Sequence, residues 1–269
     1  MRIVIKGAGD IASGIALRLW RAGLRPVMTD LPSPSSIRRT VSFSEAVRLG
    51  ETRVEDVAAR RAESPVQALE LLREGILPVL ADPEAACVRE LRPAVVVDAI
   101  LAKVNTGTAI TDAPAVIAVG PGFTAGADCH AVVETKRGHT LGRVILSGSA
   151  IPNTGVPGLI GGYAAERVMR SANAGAFRCV RAIGDEVEAG ETVAFVGETP
   201  LRAAIPGILR GLLPEGFEVP RAGFKCADVD PRGVRSHCFS ASDKALAVGG
   251  GVLEALLALT GALRNDSDK

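Results

Sequence analysis

Aromatic residues and excess charge are both scarce in this chain of 269 residues. It contains seven Phe, one Trp and one Tyr, too few for the base-stacking platforms that bind single-stranded nucleic acid. Lys and Arg total 31 against 30 Asp and Glu, so we expect no basic surface of the kind that neutralises phosphates along DNA. The composition therefore predicts no nucleic-acid partner.

Long apolar runs and paired cysteines are missing as well. Gly, Pro or a charged residue interrupts every apolar run before the roughly 18 residues that a membrane-spanning helix needs, which argues against a membrane partner. The first residues, MRIVIKG, are typical of a strand that ends at glycine and not of a secretion signal. The five cysteines include no C-x-x-C pair, which argues against a disulfide framework or a structural zinc site. We expect a cytoplasmic protein with reduced thiols.

Short apolar runs alternate with amphipathic segments through the first part of the chain. The predicted elements are strands at 3–5, 26–30, 78–81, 94–97, 115–119 and 131–133 and helices at 11–22, 66–73 and 84–91. The strand segments are continuously apolar, as a sheet covered on both faces requires. This pattern predicts an α/β fold with a Rossmann-like, doubly wound parallel sheet.

The composition changes after residue 147. Gly, Ser, Pro and Asn dominate 147–162, which predicts an ordered loop, and a short helix is predicted at 163–169. Gly-containing turns then recur at close intervals, which indicates a small all-β module. Residues 184–194 resemble the turn of the barrel-sandwich fold of biotinyl and lipoyl carriers, although 198–202 (ETPLR) lacks the carrier lysine.

Three regions follow from this organisation. We predict a Rossmann-like nucleotide- or cofactor-binding domain over 1–170, a barrel-sandwich-like β module over 176–240 and a C-terminal helix over 241–264. The helix is predicted to be entered through the glycines at 249–251, and the tail at 265–269 is predicted to be disordered.

The sequence GAGDIA at 7–12 matches G-x-G-x-x-[GA] directly after a strand and at the start of a helix. Its glycines would let the backbone approach a pyrophosphate, whose charge would lie at the helix N-terminus. Asp30, at the end of the next strand, is at the right distance for a ribose contact. A tight turn without a ligand fits the same pattern, and the Asp10 carboxylate would compete with a phosphate for the helix N-terminus.

Further polar residues follow later strands. Asp98 ends a predicted strand and is followed by Lys103 and Asn105, and a second glycine-rich loop, GPGFTAG, follows at 120–126. The carboxyl ends of central strands face the ligand crevice in such sheets, although a helix cap and a solvated lysine are the ordinary alternative. The residues predicted to bind a nucleotide or cofactor are Gly7, Gly9, Asp10, Ala12, Ser13, Gly14, Asp30, Asp98, Asn105, Gly120 and Gly122.

Three residues are candidates for a catalytic role, namely Cys129, Lys103 and His130. A thiol beside an imidazole can act as a nucleophile or metal ligand when its pKa is lowered. Neighbours on a strand point to opposite faces, however, so a buried Cys and a half-exposed His fit the same pair. A second group of His, Cys and Asp residues at 226–238 matches no standard metal spacing, and we predict no metal site.

Beyond these motifs, the chain resembles the YqeB-type accessory proteins of the selenium-dependent molybdenum hydroxylase system. The segments that carry the resemblance cover almost the whole length: IKGAGDIASG at 5–14, RRTVSF at 38–43, DAILAK at 98–103, GPGFTAG at 120–126, ETKRGH at 134–139, PNTG at 152–155, DVDPR at 228–232 and SDKA at 242–245. The resemblance implies a cytoplasmic protein that helps to mature these hydroxylases, with a molybdenum hydroxylase as client.

Several functions remain open at this point. A molybdopterin-type cofactor carries phosphate and suits the two glycine turns, with Arg38, Arg39 and Lys103 as charge partners and Cys129 as a thiol for selenium or sulfur transfer. The alternative is an NAD-dependent oxidoreductase, in which Asp30 would favour NAD over NADP. A scaffold that docks through its β module is the third alternative, and a homo-oligomeric state is compatible with all three.

Overall fold

The computed structural model describes residues 1–263, which contain nineteen strands and five α-helices. The chain forms two compact units. Unit 1 contains Met1–Pro34, Phe43–Asn153 and the residues from Ala241 onward, and unit 2 contains Ser35–Ser42 and Thr154–Ser240. The division therefore falls at 153/154 instead of near 170, and the C-terminal helix is part of unit 1. The tail at 265–269 lies outside the described residues.

Unit 1 is built on a nine-stranded sheet, which confirms the prediction of a large parallel sheet in a mixed α/β fold. Its strands are β1 (Ile3–Lys6), β2 (Pro26–Asp30), β3 (Glu51–Val54), β4 (Val57–Ala62), β5 (Leu77–Ala81), β6 (Val95–Asp98), β7 (Ala115–Val119), β9 (Ala131–Val133) and β10 (Val144–Ile145), and β8 (Thr124–Ala125) pairs separately with β11 (Gly148–Ser149). The order is β10-β9-β7-β6-β1-β2-β5-β4-β3. The β3–β4 and β9–β10 pairs are antiparallel, and the other neighbours are parallel.

Helices cover this sheet. They are α1 (Asp10–Arg21), α2 (Glu45–Leu49), α3 (Pro65–Arg73), α4 (Cys87–Leu91) and α5 (Asp243–Thr260). Val4 of β1 packs with Leu71 of α3 and Leu91 of α4. Ile3 and Ile5 point to the opposite face and are at most 1% exposed. Both faces of the central strands are therefore buried, which explains their continuous apolar sequence.

Glycines bring α5 against α1. A Cβ on Gly14 would lie 2.5 Å from the Cβ of Ala245, and one on Gly249 would lie 2.8 Å from the Gly14 carbonyl oxygen. Gly251 approaches another part of unit 1, because its Cβ would lie 2.1 Å from the Gly142 carbonyl oxygen. The prediction that the helix is entered through 249–251 is therefore wrong. Ser242 caps α5 by accepting from the Ala245 N–H, and the glycines are interior contacts.

We expect Gly14→Ala to lower the free energy of unfolding by about 1–3 kcal/mol, because the added methyl group overlaps Ala245. Denaturant unfolding of the ligand-free protein measures this effect. Gly250→Ala is the matched control, since a Cβ there meets nothing within 4 Å and Ala favours the helix by up to about 1 kcal/mol. Equal stability of the Gly14→Ala variant and the wild type would contradict the packing role.

Unit 2 consists of two four-stranded antiparallel sheets. One has the order β12-β19-β17-β14 and the other β16-β15-β13-β18. The strands are β12 (Val168–Arg170), β13 (Gly175–Cys179), β14 (Glu186–Val187), β15 (Thr192–Val196), β16 (Thr199–Arg202), β17 (Gly207–Leu212), β18 (Glu218–Val219) and β19 (Lys225–Asp230). Phe177, Val193, Leu209 and Val229 share its apolar core. Ile37 joins this core from the 35–42 segment, and its carbonyl accepts from the Leu212 N–H.

The helix predicted at 163–169 is wrong. The structure has a 3₁₀ turn at Ala165–Arg167, and β12 then begins at Val168 and pairs with Asp228 of β19. The β-branched Val168 suits a strand, and the Arg167 side chain, 4% exposed, is held inside the unit by Asp228.

Within the described chain, none of the helices is both long and apolar enough to cross a membrane.

Candidate functional site

The candidate site lies at the carboxyl edge of the parallel sheet in unit 1. After β1 the chain adds β2 on one side of it, and it later returns to add β6 on the other side. The order of strand addition therefore reverses between β1 and β6. Ligands of open α/β sheets bind at such a point, outside the carboxyl ends of the strands. Lys6 and Asp98 end these two strands and are register partners.

A buried hydrogen-bonded chain joins Lys6 and Asp98. The Lys6 ammonium donates to Thr108 Oγ1 at 2.6 Å, and this hydroxyl donates to Asp98 Oδ2 at 2.5 Å. The direct distance from Lys6 Nζ to Asp98 Oδ2 is 3.9 Å, and the three residues are at most 7% exposed. The other Asp98 oxygen accepts from the Ile100 N–H. The predicted ligand residue Asp98 thus neutralises a buried lysine and anchors the loop that follows β6.

Asp30 is also engaged by its own chain. Its Oδ2 accepts from the Ala8 N–H at 3.0 Å and its Oδ1 from the Leu31 N–H at 2.7 Å. Burial raises the pKa of Asp30, and the two N–H bonds act in the opposite direction. Asp30 therefore holds the glycine turn against the end of β2. A carboxylate has about four acceptor positions, so a ribose hydroxyl could still share it.

The predicted phosphate-binding glycines serve contacts between loops. A Cβ on Gly7 would lie 2.9 Å from the Ala99 carbonyl oxygen, and one on Gly122 would lie 2.8 Å from the backbone of Lys103. Gly120 is similarly close to Thr135, at 2.9 Å from Oγ1. The loop after β6 thus fills the space that the glycines open. The same loop contains left-handed conformations at Leu101 (φ 62°) and Lys103 (φ 68°), which cost energy for side chains with a Cβ.

Asn105 shapes this loop from within. Its Oδ1 accepts from the N–H groups of Gly107 and Thr108, and its Nδ2 donates to the Thr108 carbonyl at 2.8 Å. This is an Asx-type turn, which uses the whole side chain for local structure. Lys103 is exposed on the same loop.

Lys244 is a cation in the first turn of α5. It is partly buried, and no hydrogen bond or ion pair joins its ammonium group to the described residues. Burial lowers the pKa of Lys244; Arg137 and Lys103 lower it further, whereas Asp10 and Glu134 raise it. Lys244 directly precedes Ala245, which packs on Gly14 of α1. A cation that is poorly neutralised in this way favours an anionic ligand.

Two charged groups that act on Lys244, Arg137 and Glu134, already form bonds with other groups of the protein. Arg137 forms two bonds with Asp243, at 2.5 and 2.9 Å. The buried Glu134 accepts from the N–H groups of Thr135, Lys136 and Ile151. These bonds hold the Arg137 and Glu134 side chains in place, and none of them involves the Lys244 ammonium group.

Comparison with curated proteins gives one strong match. The chain is 52% identical over 257 residues to a protein described as "Uncharacterized protein YqeB" from Escherichia coli strain K12. The similarity to this relative extends over almost the whole of this chain. The match covers 96% of this chain and 47% of YqeB, so the chain spans about half the length of this relative. No family model matches.

Solved structures give only weak matches to this chain. An aspartoacylase family protein from Mesorhizobium loti is 13% identical, covering 85% of this chain and 84% of that one, with a TM-score of 0.27. The ectoine utilization protein EutE (DoeB) from Ruegeria pomeroyi is 12% identical with the same coverage and a TM-score of 0.26. Similarity at this level supports no statement about the fold or function of this chain.

Cys129 and His130 lie away from the carboxyl edge of the parallel sheet in unit 1. They directly precede β9, and His130 Nδ1 accepts from the N–H of Val116, near the start of β7. Cys129 is 0% exposed in an apolar cluster with Phe123 and Val132, and burial raises its pKa to about 11. Both features disfavour a thiolate nucleophile.

The remaining predicted residues belong to the start of α1. Gly9 is the N-cap of the helix, where no side chain accepts from the first N–H groups, and Asp10 is in its first turn. Ala12 is 1% exposed. Ser13, also buried, donates to the Ala8 carbonyl and accepts from the Phe43 N–H. With Gly14 packed on α5, only Gly9 and Asp10 of this group remain accessible to a ligand.

Sequence reasoning missed Lys6, Thr108 and Lys244 as site residues. Lys6 had a signal, because a lysine that ends a buried apolar strand needs a buried partner. Lys244 had another, since a cation in the first turn of a helix opposes the helix dipole. Thr108 had none, because it comes between Lys6 and Asp98 only through the folding of a loop.

Proposed function

We propose that this protein is an accessory factor in the maturation of selenium-dependent molybdenum hydroxylases, acts in the cytoplasm, and binds a nucleotide or molybdopterin-type cofactor. The ligand would bind through phosphate at the carboxyl edge of the Rossmann-like sheet in unit 1. The sequence resemblance supplies the process and the client, and 52% identity to YqeB supports the family name. Lys244 is the observation that carries the binding half of the proposal.

The residues around Lys244 fit a phosphate group. Lys244 and the exposed Lys103 supply positive charge, and the N-terminus of α1 supplies N–H groups that no side chain caps. The glycine turns contribute less than their sequence predicts, because the loop after β6 already packs on Gly7 and Gly122. We therefore assign recognition of the anion to the two lysines and the helix start, with Asp30 beside them for a sugar hydroxyl.

Unit 2 would serve this role as a barrel-sandwich module without the carrier lysine. Two four-stranded sheets support the assignment, and the turn between β15 and β16 contains Gly197 and Glu198, with no lysine that could carry a swinging arm. We propose that this unit contacts the client hydroxylase.

Ligand binding tests the proposal through Lys244→Met. We expect CTP or isolated molybdopterin to stabilise the wild type by about 2.7 kcal/mol at 100 times the dissociation constant, measured by thermal shift. Lys244→Met should lose this shift and gain about 0.5–2 kcal/mol of stability without ligand, because a poorly neutralised buried charge is removed. Arg73→Gln, an exposed position on α3, is the control and should behave as the wild type.

The same lysine sets the expected pH dependence. The folded pKa of Lys244 lies below the unfolded value of about 10.4, so between them the unfolded state binds more protons and stability without ligand rises with pH. A bound anion favours the charged form, so its affinity should fall as pH rises through the lowered pKa. Isothermal titration at several pH values measures this, and an unchanged profile in Lys244→Met would contradict it.

The NAD-dependent oxidoreductase remains the second candidate because Asp30 ends β2 beside the glycine turn. It predicts a thermal shift with NAD and none with CTP or molybdopterin. A shift with NAD alone would replace the accessory proposal, and no shift with any ligand of an intact protein would contradict both.

A further inference from the structure

A cavity of about 230 Å³ lies in unit 2 between the edges of its two sheets. Strand β12 ends one sheet and pairs only with β19, and β16 ends the other and pairs only with β15. Residues of both strands line the cavity, among them Arg170 of β12 and Arg202 of β16. Two strand edges with unpaired backbone groups therefore border one space.

The two arginines bring uncompensated positive charge to this space. Arg170 Nη1 donates to the Gly223 carbonyl and Arg202 Nη1 to the Gly190 carbonyl, each at 2.9 Å. Among the described residues, neither guanidinium forms an ion pair, and those that line the cavity include no carboxylate. Because backbone carbonyls already orient both side chains, an anion would bind with a small loss of rotamer entropy.

The size and the inner wall of the cavity restrict what can bind. Met169, Val196 and Leu201 form the apolar part of the lining, and Ser171, Asn173 and Thr199 add polar groups. Its volume is below the about 300–1,000 Å³ of pockets that enclose drug-sized ligands. One or two side chains of an extended chain fit such a space better than a whole nucleotide.

We propose that this cleft binds an acidic peptide segment in extended conformation. The peptide would add as a strand to the free edge of β12, place an apolar side chain on Met169 and Leu201, and direct carboxylates to Arg170 and Arg202. Strand β16 contributes less to backbone pairing, because Pro200 has no N–H to donate. The strand edge provides affinity, and the two arginines select for acidic sequence.

Fluorescence anisotropy with labelled pentapeptides tests this proposal. We expect Val-Glu-Val-Glu-Val to bind the full chain at least about tenfold more tightly than Val-Gln-Val-Gln-Val, and Arg170→Gln and Arg202→Gln each to weaken the acidic peptide by about tenfold. N-methylation of the central amide should abolish binding, because it removes a strand hydrogen bond.

Arg178→Gln is the matched control. Arg178 is exposed on β13, stacks over the Phe195 ring at 4.3 Å and is not among the residues that line the cavity, so its replacement should leave peptide affinity unchanged. Equal binding of the Gln peptide would overturn the proposal. So would an equal loss in Arg178→Gln and Arg202→Gln, which would indicate nonspecific attraction to positive charge, or full binding of the N-methylated peptide.

Discussion

Replacing Asp228 with Ala is expected to destabilise unit 2 by about 3–5 kcal/mol, because it leaves two buried arginines without their common partner. Arg210 donates to Asp228 Oδ2 from Nε at 2.9 Å and from Nη2 at 2.6 Å, and Arg167 Nη2 donates to Oδ1 at 3.1 Å. All three residues are at most 8% exposed. Two guanidinium groups would then remain charged in the interior with a large part of their hydrogen bonds unmade.

Hydrogen exchange of the β17 and β19 amides measures this loss within unit 2. The single Trp, Trp20, is in α1 of unit 1, so its fluorescence reports separately on the other unit. Glu198→Ala, at an exposed turn position, is the control and should change stability by less than about 0.5 kcal/mol. The triple replacement Arg167→Met, Asp228→Leu and Arg210→Met should recover most of the stability. An Asp228→Ala variant as stable as Glu198→Ala would show that the ion cluster is dispensable.

The same cluster shows where sequence reasoning stops. Asp228 and Asp230 stand near His237 and two cysteines in sequence, yet their partners Arg167 and Arg210 are 61 and 18 residues away from Asp228. Burial alone would raise the pKa of Asp230, but hydrogen bonds from Arg232 and the charge of Arg210 lower it to about 2. The described residues contain no group of His, Cys, Asp and Glu that could hold a metal. The antiparallel pairing of β19 with β17 on one side and β12 on the other brings these charges together.

In unit 1, the apolar pattern of the sequence predicted most of the parallel strands but not the antiparallel β3–β4 pair at one edge of the sheet. Strands such as Ala115–Val119 are uniformly apolar because both of their faces are buried, so the sequence alone predicts them as central strands. Strands β3 and β4 contain several charged residues and partly exposed positions, and the sequence pattern predicted no strands there. The glycines show a second limit. Sequence indicates that backbone approaches Gly7 and Gly122 closely, but only the fold shows that this backbone belongs to the protein.

Replacing Asp98 with Ala is expected to destabilise unit 1 by about 3–5 kcal/mol, because Lys6 would lose its counter-charge in the interior. Lys6 is 7% exposed, and its remaining partner would be the neutral hydroxyl of Thr108. Asp98 also accepts from the Ile100 N–H, so the loop that packs on Gly7 and Gly122 would lose its anchor. Trp20 fluorescence in urea measures the stability, and hydrogen exchange over 99–107 measures the loosening of the loop.

Two further variants distinguish the neutralisation of Lys6 from the anchoring of the loop by Asp98. Lys6→Met combined with Asp98→Leu removes both charges and should recover most of the stability, whereas Glu70→Ala on the exposed face of α3 should cost less than about 0.5 kcal/mol. If the double variant is as unstable as Asp98→Ala, then the anchoring of the loop by the carboxylate outweighs the neutralisation of Lys6. If Asp98→Ala matches Glu70→Ala, the Lys6–Thr108–Asp98 chain stabilises nothing. If the double variant is stable but no longer binds the ligand, Lys6 and Asp98 contribute to ligand binding. In that variant the fold at the β1–β6 reversal of strand order would be intact, and only the two charges would be missing.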